Sequence, residues 1–178
     1  MGVKKLGHVG IWAKDMQSMK QFYAEMIGLA VTDEGPAMAF MSSHPDEEHH
    51  EFALFQANAA HPSTDVQQIS FSCESLEDIV EYYQRFKAGG VKFNQIVSHG
   101  NAVGLYFFDP EGNNCEVYWT TPFKARQPFA VAVDLSQPVP EILSFVEQDA
   151  RQFAETGHYD PESFKRQKEQ FLRDGIKV

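Results

Sequence analysis

The sequence lacks the features that direct a protein to a membrane, to nucleic acid or to an oxidising compartment. Only two of its 178 residues are cysteines, too few for a disulfide framework. No basic cluster offsets the formal charge of −10, which makes nucleic acid and anionic membranes poor partners. No apolar run approaches membrane-spanning length, and the first residues, M-G-V-K-K-L-G-H, lack the apolar core of a secretion signal. These absences predict a soluble, cytoplasmic protein that binds neither nucleic acid nor membrane.

The chain does contain an internal repeat. Residues 6–26 align with residues 66–86 without gaps, so that Val9 corresponds to Ile69. Each segment begins with the alternating apolar residues of a strand and continues with the three- and four-residue spacing of a helix. Three further strands are predicted in each half: near 30–34, 37–41 and 50–56, and then near 91–97, 103–108 and 114–120. The repeated unit is therefore βαβββ.

One βαβββ unit has a helix on one face of its sheet and nothing on the other. We therefore predict an α+β fold in which two units pair into an incomplete eight-stranded barrel around a shared cavity. Strand alternation predicts the residues that line it: His8, Gly10, Trp12, Gln68, Ser70, Ser72, Glu116 and Tyr118. Polar side chains in such a cavity need compensation, which a metal ion or a polar ligand would supply.

The predicted domain covers residues 4–120, with units 4–58 and 65–120. From about residue 121 the pattern changes to an extended, proline-punctuated arm, followed by predicted helices at 139–156 and 161–173. This tail, 121–178, is expected to act as a lid or dimer clamp rather than as a separate domain. Its apolar stripes favour a homodimer.

A short hairpin contains the most informative residues. The strand Val103–Phe108 is followed by the turn Asp109-Pro110-Glu111-Gly112, and the chain re-enters a strand near Glu116. Tyr106 and Glu116 are thus predicted on neighbouring antiparallel strands, with His99 on the loop that leads into the first of them. A histidine, a phenol and a carboxylate gathered by one hairpin suggest a site that handles protons or oxygen.

These residues also form a recognisable pattern. The chain resembles the vicinal oxygen chelate superfamily, which includes glyoxalases, fosfomycin-resistance transferases and extradiol dioxygenases, and most closely the type I extradiol ring-cleaving dioxygenases. The dioxygenase signature is matched at every fixed position by Val97, His99, Leu105, Tyr106, Asp109, Pro110, Gly112 and Glu116.

The resemblance implies roles for individual residues. His8 corresponds to an iron-binding histidine and Glu116 to the iron-binding carboxylate. His50 falls where these enzymes keep an acid–base histidine. Tyr106 corresponds to the tyrosine that hydrogen-bonds a catecholate oxygen, and His99 to the histidine beside the substrate. The implied cofactor is Fe(II), and the implied substrate is a small aromatic diol.

One position departs from the family pattern. Gln68 stands where the second iron-binding histidine is expected, and an amide oxygen is a weaker ligand than an imidazole. Glutamine is a metal ligand in some glyoxalases of the superfamily. A set of His8, Glu51, Gln68 and Glu116 would then bind Zn, Ni or Mn, with Glu51 as the fourth ligand.

Strand alternation alone leaves His50 and Glu51 undecided. If Phe52 faces the helix, Glu51 faces the cavity, whereas a bulge just before Phe52 would turn His50 inward. The dioxygenase interpretation needs His50 in the cavity, and the glyoxalase interpretation needs Glu51 there. Trp12 and Tyr118 share the cavity-facing alternation and are candidates for substrate binding.

The sequence therefore predicts a metal-dependent, extradiol-type dioxygenase that cleaves a catechol-like diol with O₂. The alternatives are a glyoxalase-type isomerase or lyase, and a non-catalytic protein that binds a small aromatic ligand. The remaining histidines are predicted in surface loops (His44, His49 and His61) and in the link between the tail helices (His158).

Overall fold

A computed structural model describes residues 8–48, 50–58, 69–126 and 128–178. The described residues before position 67, together with 110–112, form one compact unit, and the other described residues form a second. None of the helices in these ranges is long and apolar enough to cross a membrane. Gln68, His49 and His61, which carried predictions above, lie outside the described residues.

The first unit is a four-stranded sheet with a helix on one face. Its elements are β1 (Val9–Ala13), α1 (Met16–Phe22), which continues as a π-helical turn (Tyr23–Ile27), β2 (Ala30–Gly35), β3 (Met38–Ser42) and β4 (Phe52–Gln56). The strand order is β1-β4-β3-β2, in which only β1 and β4 run parallel. This is the predicted βαβββ arrangement.

The second unit repeats this arrangement. It contains β5 (Ile69–Cys73), α2 (Leu76–Gly89), β6 (Lys92–Ser98), β7 (Ala102–Phe108) and β8 (Asn114–Thr120). Strand β5 pairs parallel with β8, as β1 does with β4. The α+β prediction with two such units is confirmed.

Local sequence determines where the two main helices begin and end. Asp15 accepts a hydrogen bond from the Ser18 amide at the start of α1, and Ser75 forms a reciprocal capping box with Asp78 at the start of α2. The chain leaves both helices through glycines in the left-handed region, Gly28 (φ 92°) and Gly90 (φ 65°).

The tail joins the sheet of the second unit. Its elements are β9 (Phe129–Ala132), α3 (Val139–Gln152), β10 (His158–Tyr159) and α4 (Pro161–Arg173). The sheet order becomes β10-β9-β6-β7-β8-β5, since β9 pairs with the free edge of β6. The predicted arm thus contains a strand, because an unpaired sheet edge favours backbone pairing.

The first tail helix is shorter than predicted. It ends at Gln152, and Phe153, within the predicted range 139–156, lies just beyond it with its ring 4.0 Å from that of His158. Gly157 adopts φ 74° and donates its amide hydrogen to the Phe153 carbonyl, so the chain turns back toward β10. The helix Pro161–Arg173 is as predicted, with Asp160 as its cap.

Candidate functional site

Three polar residues of the second unit lie in one row across its sheet. The register places Ser70 of β5 and Tyr106 of β7 on either side of Glu116 of β8. Residues directly opposite one another on neighbouring strands project from the same face. Phe107, one residue along from Tyr106, projects to the other face, where its ring lies 4.5 Å from that of Phe86 in α2. The row therefore lies on the sheet face away from the helix.

The Glu116 carboxylate is buried and held in place. The residue is 6% exposed, and the Ser70 hydroxyl donates a hydrogen bond of 2.7 Å to its Oε2. Its Oε1 lies over Gly104 of β7, where a β-carbon would collide with it. A glycine inside a strand often permits such a close approach. The carboxylate position thus depends on Gly104 having no side chain.

Replacing Gly104 by alanine is expected to push the Glu116 carboxylate away from Ser70. The free energy of unfolding should fall by about 1–3 kcal/mol, the usual cost of overpacking a well-packed site. Urea unfolding measures the change. Gly35→Ala in β2 is the matched control, because a β-carbon there lies 3.6 Å from Met38 Cε, an ordinary contact. Equal stability of the two variants would contradict the packing described for Gly104.

Tyr106 connects this carboxylate to His99. Its hydroxyl lies 3.1 Å from His99 Nε2 and also shares a hydrogen bond with Glu116. Burial first, and then the hydrogen bond and charge of Glu116, raise the pKa of the Tyr106 hydroxyl well above its usual value. Tyr106 is therefore a phenol at neutral pH, a donor that does not ionise on its own.

The hydrogen bonds of His99 fix its protonation pattern. Its Nδ1 lies 2.8 Å from the Phe129 carbonyl oxygen, which can only accept, so Nδ1 carries a hydrogen. In the neutral ring Nε2 then accepts from Tyr106. In the imidazolium, Nε2–H donates to the Tyr106 oxygen and the phenol hydrogen is donated to Glu116. A phenol has a single hydrogen, so Tyr106 donates it to His99 when the ring is neutral and to Glu116 when the ring is an imidazolium.

In the first unit, aromatic and imidazole rings cluster on the sheet face away from α1. The ring centroid of His50 is 4.7 Å from that of His8 and 4.7 Å from that of Phe40. Phe55 extends this cluster, with its ring 5.5 Å from Trp12 and 6.2 Å from Phe40. The cluster combines two imidazoles, His8 and His50, which can bind a proton or a metal ion, with a flat apolar surface.

The His50 and Glu51 alternatives are distinguished by the backbone. Strand β4 begins only at Phe52 and the chain bends at Glu51, so alternation does not extend to His50. The Glu51 carboxylate instead accepts hydrogen bonds from Ser43 N (2.8 Å), Ser43 Oγ (2.5 Å) and Ser42 Oγ (3.2 Å). Burial opposes its ionisation, but these hydrogen bonds outweigh burial and lower the pKa of Glu51. His50 packs with His8, and Glu51 is bonded by the last residue of β3 and by the residue that follows it.

Of the predicted ligands within the described residues, His8 and the alternative ligand Glu51 belong to the first unit and Glu116 belongs to the second. No group of three or more His, Cys, Asp or Glu side chains arranged to hold a metal occurs in the described ranges. The set predicted for a dioxygenase includes only two residues of these kinds, since its third member is an amide, whereas the glyoxalase-type set includes three. The amide member, Gln68, lies outside the described residues.

Three other residues named in the sequence analysis lie outside the row of Ser70, Glu116 and Tyr106: Tyr118, His44 and His158. Tyr118 lies one row from Glu116 on the same face of β8, opposite Gly104, and is half-buried. His44 is exposed in the turn after β3, where its Nδ1 lies 2.9 Å from Ser43 Oγ. His158 lies between the tail helices in β10, with Nδ1 2.9 Å from the Asp149 carboxylate.

Comparison with known proteins decides the family. The model of the Glyoxalase/Bleomycin resistance protein/Dioxygenase superfamily matches residues 5–117, well over half of the chain. The chain belongs to this superfamily. The match ends within β8, so β9 and the helices that follow lie beyond it.

Two relatives of this chain are named as dioxygenases. The chain is 31% identical over 119 residues to biphenyl-2,3-diol 1,2-dioxygenase 3 of Rhodococcus globerulus, an alignment covering 64% of this chain and 62% of that protein. It is 24% identical over 120 residues to a manganese-dependent 2,3-dihydroxybiphenyl 1,2-dioxygenase of Geobacillus genomosp. 3, covering 66% of this chain and 37% of the relative. The chain thus spans less than two thirds of either relative.

A solved structure supports the fold. Lactoylglutathione lyase from Agrobacterium tumefaciens superposes with a TM-score of 0.57 at 19% identity, covering 67% of this chain and 96% of that one. At this identity the likeness concerns the fold alone.

Two contributions to the site were missed by reasoning from the sequence. Gly104 gave a signal, since a glycine inside an apolar strand marks a close approach, but nothing indicated which side chain would approach it. The Phe129 carbonyl gave none, because every residue has a backbone carbonyl and only the fold brings this one to His99.

Proposed function

We propose that this protein is an extradiol-type dioxygenase that cleaves the ring of a small aromatic diol with O₂. The observation that carries the proposal is the hydrogen-bonded chain Ser70–Glu116–Tyr106–His99, which joins a buried carboxylate to a phenol and an imidazole. The two relatives named as dioxygenases of a biphenyl diol support the same substrate class.

The donor chemistry fits a divalent metal ion. We infer that His8, Gln68 and Glu116 hold it, with Fe(II) first and Mn(II) next, while Zn and Ni would suit a glyoxalase-type site. An imidazole, an amide oxygen and a carboxylate are ligands for such ions. Such an ion, when bound, would coordinate the diol oxygens and O₂.

The chain's own residues then act on the diol. Tyr106 donates its hydrogen to one diol oxygen, and His99 Nε2 then accepts a hydrogen bond from the other diol hydroxyl, so that the two side chains orient the diol. His50 holds a proton removed from the diol and returns it later, a role suited to an imidazole at neutral pH. We infer that Trp12 and Tyr118 bind the aromatic ring of the diol.

The glyoxalase-type alternative requires Glu51 as a ligand or proton carrier. Its carboxylate already accepts three hydrogen bonds from Ser42 and Ser43. Releasing it would leave the buried Ser42 hydroxyl without this acceptor, at a cost of about 1–3 kcal/mol, while the exposed Ser43 could bond to water instead. This arrangement supports the dioxygenase over the glyoxalase-type enzyme.

Oxygen consumption tests the proposal. Protein purified and loaded anaerobically with Fe(II) or Mn(II) should consume one O₂ per diol when 2,3-dihydroxybiphenyl is added, and ¹⁸O₂ should place both labelled atoms in the ring-opened product. Metal content is measured on the same samples. Zinc or nickel without oxygen uptake would indicate the glyoxalase-type enzyme. Tight diol binding without turnover on either loaded metal would indicate a binding protein.

A further inference from the structure

The side chain of His99 is held by the part of the chain that lies beyond the family match. His99 Nδ1 is 2.8 Å from the carbonyl oxygen of Phe129, the first residue of β9, thirty positions later. Its own backbone is fixed by a bond from the His99 amide to the Ala102 carbonyl. The orientation of the imidazole therefore depends on where β9 lies.

Two side chains of helix α4 add to the backbone pairing that holds β9 against β6. Gln167 donates from Nε2 to the Ile96 carbonyl (2.9 Å) and the Val133 carbonyl (3.0 Å), and its Oε1 accepts from the Ile96 amide (3.0 Å). One side chain thus bridges β6 to the residue just after β9. Ser163 Oγ accepts from the Ala132 amide (3.0 Å), a second link from the same helix.

The loop that carries His99 fits closely against the arm that leads to β9. Gly100 adopts φ 73°, and a β-carbon there would collide with that of Ala125 and lie 3.4 Å from the Phe129 ring. The Gly100 carbonyl accepts from Thr121 Oγ1 at 2.7 Å. A displacement of β9 is therefore transmitted to this loop, because little space separates them.

We propose that residues 129–173 are a positioning element for His99. The Phe129 carbonyl selects the tautomer with hydrogen on Nδ1, which leaves Nε2 to accept from Tyr106, and Gln167 holds that carbonyl in place. The effect on turnover rests on the proposed function, in which His99 orients the diol. The effect on the tautomer does not, because it follows from the hydrogen bonds alone.

The experiment compares two glutamines of one helix. Gln167→Ala removes the bridge between β6 and the residue after β9, whereas Gln170→Ala removes a surface side chain bonded to Asp174 and Arg173. Each protein is labelled with ¹⁵N-histidine, kept free of metal, and studied by long-range ¹H–¹⁵N NMR at neutral pH. The His99 signals are assigned by their loss in His99→Asn.

Wild type and Gln170→Ala should show His99 with hydrogen on Nδ1. In Gln167→Ala the fraction with hydrogen on Nε2 should rise several-fold. With metal restored, kcat of Gln167→Ala should fall about 10-fold, while metal content stays unchanged. This is the lower end of the roughly 10- to 100-fold loss typical when a residue that orients a site histidine is removed. If Gln167→Ala does not fold, Ser163→Ala removes the weaker of the two links and takes its place.

The outcomes separate the two proposals. A His99 tautomer that is the same in Gln167→Ala and Gln170→Ala overturns the positioning role, even if the protein is a dioxygenase. A changed tautomer in a protein that consumes no oxygen upholds the positioning of His99 and overturns the proposed function.

Discussion

Replacing Glu116 by glutamine is expected to abolish metal loading and, with it, oxygen consumption. The amide keeps the size of the side chain but removes the negative charge, and one of its terminal atoms becomes a donor. The variant therefore loses the anionic ligand itself, which is a larger change than losing Ser70 or Tyr106, the residues that only orient it. We expect metal affinity to fall by more than about 100-fold, beyond the loss caused by removing an outer partner of a ligand. Metal titration of the metal-free protein measures the change.

Glu51→Gln is the matched control for this experiment. It makes the same chemical change in the first unit, at a carboxylate just before β4 that bonds to Ser42 and Ser43. Metal affinity should stay within a few-fold of wild type. If Glu51→Gln loses metal and Glu116→Gln keeps it, the ligand set proposed for the dioxygenase is wrong and the glyoxalase-type set is favoured.

Replacing Tyr106 by phenylalanine is expected to lower kcat roughly 100- to 1000-fold, within the usual range for a positioned proton donor. The ring remains, so the packing of the buried side chain is preserved while the link between His99 and Glu116 is lost. Metal content should not change, because the phenol is not a proposed ligand. The initial rate of oxygen uptake at saturating diol gives kcat directly.

Tyr82→Phe is the control for loss of a tyrosine hydroxyl. Tyr82 lies on α2, where its ring packs against Phe86 and Arg85, remote from the row that contains Tyr106. The kcat of Tyr82→Phe should equal that of the wild-type protein. A kcat for Tyr106→Phe that also matches wild type would remove Tyr106 from the proposed mechanism and leave the metal site unaffected.

Much of the fold could be predicted because its determinants are local. The repeat placed a strand and a helix in each half, and the alternation of apolar residues predicted β6, β7 and β8 to within about one residue at each end. The capping residues Asp15, Ser75 and Asp160 are identifiable because a cap acts within three residues of itself. Pairing of Tyr106 with Glu116 followed from the short turn between their strands.

Other features depend on contacts between distant residues. The short helix α3 ends where Phe153 meets His158, a ring contact that no periodicity encodes. The position of His50 follows from a bend at Glu51, which Ser42 at the end of β3 and Ser43 just after it stabilise by binding the Glu51 carboxylate. Alternation could not decide between these two residues because they precede the first residue of β4.

The sequence by itself determined the two βαβββ units and the presence of His99, Tyr106 and Glu116 on one hairpin and its entry loop, because hydrophobic periodicity and short turns act between near neighbours. Only the tertiary structure decided that the Phe129 carbonyl fixes the hydrogen on His99 Nδ1 and that Gly104 makes room for the carboxylate. A backbone carbonyl and a missing β-carbon carry no side-chain signature. Their effect exists only once distant strands have been brought together, when burial makes each hydrogen bond and each steric contact specific.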